Sequence, residues 1–212
     1  MSKKKRRIRV NLILTLIVVV LVGIMMYCIF DIFSDIQSKS QSSVEILDKI
    51  DGYDYELNEN DSSYFDSLFS EFMKTLVKDE IDEEAYASLI SQLFITDFYS
   101  LDAAINKNDV GGVQFVYSEY QEDFVSKAKT SVYNYVENNI YGDREQELPL
   151  VTEVSVNSIV QEEYSFDNDF KDSYAYVVTV SVSYAKDLDY PTEVTLVLVH
   201  NKNKLEVSKM EL

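Results

Sequence analysis

Residues 174–184, YAYVVTVSVSY, decide the fold class. Tyr174, Tyr176, Val178, Val180, Val182 and Tyr184 occupy every second position, with Thr179, Ser181 and Ser183 between them. Successive side chains on a strand point to opposite faces, so the pattern predicts a half-buried β-strand with one apolar face. The same period begins upstream at Val154 and Val156, after Pro149, and returns downstream over residues 192–199, where Val194, Leu196 and Leu198 share a side. Asn201, Lys202, Asn203 and Lys204 then form a polar turn into a last strand around Leu205, Val207 and Met210. No helical pattern lies between these strands, so the sheet is expected to be antiparallel.

Before Pro149 the spacing is near four. Ser62 or Ser63 is a suitable N-cap for a helix carrying Tyr64, Phe65, Leu68, Phe69, Phe72, Met73, Leu76 and Val77 on one wide face. A second helix opens at Asp82, with Glu83 and Glu84 in its first turn, where the helix dipole favours negative charge. Its face is Tyr86, Leu89, Ile90, Leu93, Phe94, Phe98 and Leu101. For a third, Val113, Val116, Tyr120, Phe124, Ala128, Val132, Tyr135 or Val136, and Ile140 recur at helical spacing, while Glu119, Asp123 and Lys127 face away. This stripe predicts a long central helix over 113–140, stopped by Asn139 and Gly142. Helices followed by strands make the class α+β.

The chain begins with a basic tail, residues 1–9, and residues 10–30 follow without a charge. As a helix that run would span about 30 Å, the thickness of the hydrocarbon core. It is longer than the apolar part of a cleaved signal peptide, and no small-x-small cleavage site follows Phe30. A single-pass anchor with a cytoplasmic N-terminus and an extracytoplasmic C-terminal domain is expected, in the cell membrane. Residues 31–54 would be stalk or linker. Ile29, Phe33, Ile36, Ser40, Ser43, Leu47 and Ile50 keep a heptad-like spacing there, which continues the membrane helix up to Gly52. The outer domain would occupy 55–212. Cys28, the single cysteine, lies in the span, so that domain has no disulfide.

The formal net charge is −18, and the basic tail makes everything after it more acidic still. Such a surface repels nucleic acid, which is excluded as a partner; the membrane, other envelope proteins and further copies of the chain remain.

Few residues point to chemistry. Residues 109–117, DVGGVQFVY, place Gly111 and Gly112 before an apolar run, but the stretch lacks the lysine and spacing of a phosphate loop. The pair is read as a structural turn between the second and third helices, with Asp109 as a local acceptor. Asp167, Asp169 and Asp172 begin like a calcium loop without its turn glycine or twelfth-position glutamate, and are weak metal candidates. His200, the single histidine, ends a strand with no nucleophile linked to it. No catalytic residue and no cofactor is assigned.

Three helices followed by about four antiparallel strands, behind one N-terminal anchor, resemble the NTF2-like (cystatin-like) α+β fold. The version it resembles is that of membrane-anchored outer domains in bacterial secretion and conjugation machinery. The resemblance covers roughly residues 55–212, rests on element order and assigns no functional residue. It implies a curved sheet wrapped around the long helix. The DVGGVQFVY segment and its surroundings also look similar to uncharacterised membrane proteins of low-GC Gram-positive bacteria. A non-enzymatic interaction or assembly module outside the membrane is expected. The alternative is a small-ligand-binding or enzymatic domain using a pocket at the open end of the sheet.

Overall fold

Strand periodicity translates directly into the sheet. In the computed structural model, which describes residues 46–50, 52–58, 61–78, 80–166 and 170–212, four strands run β3 (Val151–Phe166), β4 (Phe170–Tyr184), β5 (Glu193–Asn201) and β6 (Lys204–Glu211). They pair antiparallel in chain order. Val178 sits between Ile159 and Leu196, and Val180 between Val156 and Val194. The buried faces of these strands form the sheet side of the core, through Val154, Val178, Val180, Val182, Val194, Leu196, Leu198, Leu205 and Val207. The opposite face carries a smaller buried cluster of Tyr117, Ala175, Val197 and Val199.

A two-stranded hairpin precedes the helices: β1 (Ile46–Ile50) pairs with β2 (Tyr55–Asn58), Ile50 opposite Tyr55. Gly52, at φ +83°, and Asp54, at φ +56°, turn it. The helical seam expected to reach Ile50 is therefore replaced by a strand at 46–50, because backbone pairing with 55–58 satisfies groups that a stalk helix would satisfy along its own axis. The Tyr55 hydroxyl lies 3.1 Å from that of Tyr86 and donates to the Leu205 carbonyl at 3.3 Å, tying the hairpin to helix and sheet.

Helices α1 (Ser63–Leu76) and α2 (Glu83–Tyr99) start where their caps place them. The Ser62 hydroxyl accepts from the Phe65 amide at 3.1 Å, and the Asp82 carboxylate from that of Ala85 at 3.1 Å. Helix α2 is buried on every side, from Tyr86 and Ala87 to Phe98 and Tyr99, and it contacts α1, β3, β4 and β6. It is the central helix.

The long helix expected over 113–140 does not form. Residues Val113–Phe115 and Ser118–Tyr120 are single 3₁₀ turns, and only α3 (Gln121–Thr130) is an α-helix. Three consecutive residues, Phe115, Val116 and Tyr117, are buried, which one helical face cannot do. Val116 instead bridges Val207 in parallel, and the Tyr117 amide donates to the Val207 carbonyl at 2.9 Å, so this stretch leans on the edge of β6. At the other end, the Thr130 and Ser131 hydroxyls bond back to the Ser126 and Lys127 carbonyls, and Ser131 leaves helical geometry. Residues 131–150 are irregular, with Tyr133 and Val136 reaching back into the core.

All described elements belong to one compact unit spanning Val44–Leu212. Among the described residues no helix is long and apolar enough to cross a membrane. The expected tail, anchor and first part of the stalk, together with Asp167 and Asp169, lie outside the described residues.

Candidate functional site

An apolar opening lies where the broken third helix leaves β6. Short α3 covers the flank of α2 without closing against the last strand, and the space between is a groove of about 420 Å³. Phe94 and Phe98 of α2, Phe124 and Ala128 of α3, Val116, Val132, Val207 and Met210 supply its apolar surface. Phe94 and Phe98 stack one turn apart with centroids at 5.7 Å, and Phe124 meets them at 5.8 and 5.1 Å. The aromatic floor is thus rigid, each ring held by two others. The Gln121 side-chain amide donates to the Val113 and Val116 carbonyls, fixing the start of α3 against the chain that enters it. Polar groups stand at the lips: Asp123, Lys127 and Ser131 on the α3 side, Ser208 and Lys209 on β6. This volume is within the range of small-molecule sites, and the mix of apolar walls with a few polar groups matches their usual lining.

The glycine pair packs against the same helix, Gly112 beside the Phe94 and Phe98 side chains and Gly111 beside the Asp97 backbone. Gly112 has φ +77°, and its amide donates to Asp97 Oδ2 at 2.7 Å. The Gly111 amide donates to the Tyr133 hydroxyl at 3.0 Å, which in turn donates to the Phe98 carbonyl at 2.8 Å. A Cβ on Gly111 would fall far inside van der Waals contact with the Asp97 carbonyl oxygen. Burial pushes the Asp97 carboxyl up to about 7; the Gly112 amide opposes this, and Asp61 and Asp109 add to it. Asp61 is likewise raised to about 6, chiefly by burial. Both carboxyls line two smaller cavities, of about 160 and 310 Å³. Among the described residues no group of three His, Cys, Asp or Glu side chains is arranged to hold a metal ion.

Asp172 is engaged elsewhere. It is buried on β4, and its carboxylate accepts from the Tyr174 amide at 2.9 Å, the His200 amide at 2.7 Å and His200 Nδ1 at 2.8 Å. Burial would raise this carboxyl, but the two amides and the histidine ring together hold it below the ordinary value. These donors tie Asp172 into the protein interior. His200, near the end of β5, has a side chain 30% exposed. Its Nε2 lies 3.7 Å from Glu83 Oε1, and the Tyr176 hydroxyl donates to Glu83 Oε2 at 3.1 Å. Gln161 Nε2 donates to the Tyr176 hydroxyl at 3.1 Å. Assigning Nδ1 the proton follows from Asp172 being its acceptor. Asp172, His200, Glu83 and Tyr176 therefore clamp the first turn of α2 to β4 and β5.

Sequence spacing placed Phe94, Phe98, Phe124 and Ala128 on apolar faces, as the groove requires, but gave no sign that they line an opening. Lys127 was assigned to the outward face, and at the lip it is both exposed and part of the lining. Asp97 carries no sequence signal: it is an acid near the end of a helix of mostly apolar residues, five positions before Asp102, and belongs to no motif. Comparison with known proteins returns no match to a family model, a curated protein or a solved structure.

Proposed function

We propose that this chain is a membrane-anchored extracytoplasmic binding domain of NTF2-like build, and that the groove between α2, α3 and β6 is where it binds a small ligand. The groove carries the reading: about 420 Å³ of apolar space with lysine, aspartate and hydroxyl groups at its lips. The basic tail and uncharged run of residues 10–30 support the anchor and its orientation. Element order supports the NTF2-like build, with α2, and not residues 113–140, as the helix the sheet packs around.

An assembly role draws support from a different surface. Tyr135 and Tyr141 are 78% and 79% exposed, and Ile140 lies beside them. The segment that carries them is held by Arg144, whose guanidinium donates to the Ala104, Asp102 and Glu137 carbonyls. Exposed aromatic side chains on a fixed backbone suit contact with another protein.

Ser131→Cys tests topology and occupancy together. Ser131 lines the groove and is exposed, and the single native cysteine lies in the expected span. A membrane-impermeant maleimide should label it in intact cells, more slowly than in the purified chain, after normalisation to Ser158→Cys on exposed β3. Labelling only after lysis would overturn the orientation. Equal rates in cells and in the purified chain would overturn ligand occupancy.

A further inference from the structure

Resting on the groove reading above, we infer that the groove selects a free, single-bodied anion: a carboxylate or sulfonate on a two-ring or single-chain apolar body. The walls dictate the body. Phe124, Val132 and Met210, partly exposed, give the groove its apolar surface, and the buried Phe94, Phe98, Val116 and Val207 side chains back them from beneath. Its volume lies near the lower end of the range for small-molecule sites, so it takes one ring system or one chain and not the paired chains of an intact phospholipid.

The lips dictate the charge. The chain carries a net −18, yet Lys127 and Lys209 face this opening from its two walls, α3 and β6. Lys127 forms no ion pair among the described residues. Lys209 Nζ is 2.5 Å from Glu211 Oε1, so an arriving carboxylate exchanges one exposed counterion for another. Asp123, the acid at the lip, lies in the first turn of α3 and Lys127 in its last, so the helix dipole compensates each charge alike, and the lips hold two ammonium groups against this one carboxylate. The Ser131 and Ser208 hydroxyls add neutral donors on either side. A negative head over an apolar body meets two ammonium groups and two hydroxyls against the single carboxylate of Asp123, and a cationic head meets the reverse.

The test uses the full chain in phosphatidylcholine nanodiscs, with empty discs subtracted, titrated calorimetrically with 2-naphthoate and with its neutral counterpart 2-naphthamide. The expected result is at least tenfold tighter binding of the anion. Lys127→Met should remove that discrimination, Lys127→Arg should keep it, and Val132→Phe, at the partly exposed lip, should weaken both probes. Ser131→Phe is a second blocking variant, and melting temperature checks that each variant folds. Equal affinity for the two probes overturns the anion preference and leaves the groove as a ligand site. Binding of the anion that survives both blocking variants overturns the location. No binding of either probe overturns both the preference and the groove reading. Weaker naphthoate binding in discs with added palmitate than in plain discs would identify a membrane-derived fatty acid, the single-chain form of the ligand, as an occupant of the same groove.

Discussion

The Gly112 amide points at Asp97 Oδ2 from 2.7 Å. The amide ahead of this helical turn does meet an acidic group, but the group is the protein's own Asp97 carboxyl, delivered by the neighbouring central helix. With Tyr133 occupying the Gly111 amide, the turn has no free donor pair for a phosphate. The pair therefore reads as a joint between α2 and the chain that follows, and its requirements are steric and conformational.

Gly111→Ala should destabilise the domain. Its Cβ would press on the Asp97 backbone, which cannot swing aside as a flexible side chain could. Overpacking of this kind costs about 1–3 kcal/mol, or roughly 2–10 °C in melting temperature for a domain of this size. An unchanged melting temperature would show that the turn yields.

Asp97 should make the fold less stable as pH rises. Its folded-state value, about 7, lies above the 3.8 of an ordinary aspartate, so between these values the folded state binds more protons than the unfolded chain. Stability contributed by the protonated form is full below the unfolded value, falls as pH climbs from about 4 to 7, and levels off above that. Asp61, raised to about 6, adds a slope of the same sign. The Asp97 contribution is on the order of 2–4 kcal/mol. Asp97→Asn, whose side-chain oxygen can still accept from Gly112, should flatten this part of the curve in urea melts from pH 4 to 8. An unaltered slope would sink the assignment.

Asp172 behaves oppositely. Its value is depressed, so its stabilisation is present above the unfolded value and is lost as pH falls below about 4, through the folded value. Asp172→Asn loses the charge-assisted bond to His200 Nδ1, which costs roughly 1.5–3 kcal/mol at neutral pH. The variant should also be less sensitive to acid below pH 4. Parallel urea curves for both proteins at pH 3 and pH 7, offset by a constant amount, would contradict this account.

The strands were legible because an alternating pattern such as residues 174–184 has one simple reading, and the register then follows from the buried face. The capped starts of α1 and α2 were legible because capping is local chemistry. The centre of the core was not. Helix α2 is apolar all round, so its stripe looked no stronger than its neighbours', whereas residues 113–140 imitate a stripe because their buried groups alternate between a β6 contact, a short helix and an irregular return. The Asp172–His200 contact joins residues 28 apart that only the pairing of β4 with β5 brings together, and no spacing rule anticipates it. The groove follows from the same misreading, since a continuous helix over 113–140 would have covered the ground that α3 leaves open.

Tyr133 is where that return is pinned, and Tyr133→Phe isolates its hydroxyl. The ring is buried and packs on Phe98 at 5.7 Å, while the hydroxyl serves the Gly111 amide and the Phe98 carbonyl at once. Phenylalanine keeps the packing and leaves a partly buried N–H and a C=O without this partner, a loss of about 1–3 kcal/mol. Because the Gly111 amide is freed at the end of the segment leading to α3, amide hydrogen exchange should quicken at 111–117 and 131–136, with β3 to β6 exchanging as before. Uniformly faster exchange across the sheet would mean that the hydroxyl holds the whole fold and not the joint. No change at 111–117 would mean that the Asp97–Gly112 bond alone fixes the turn.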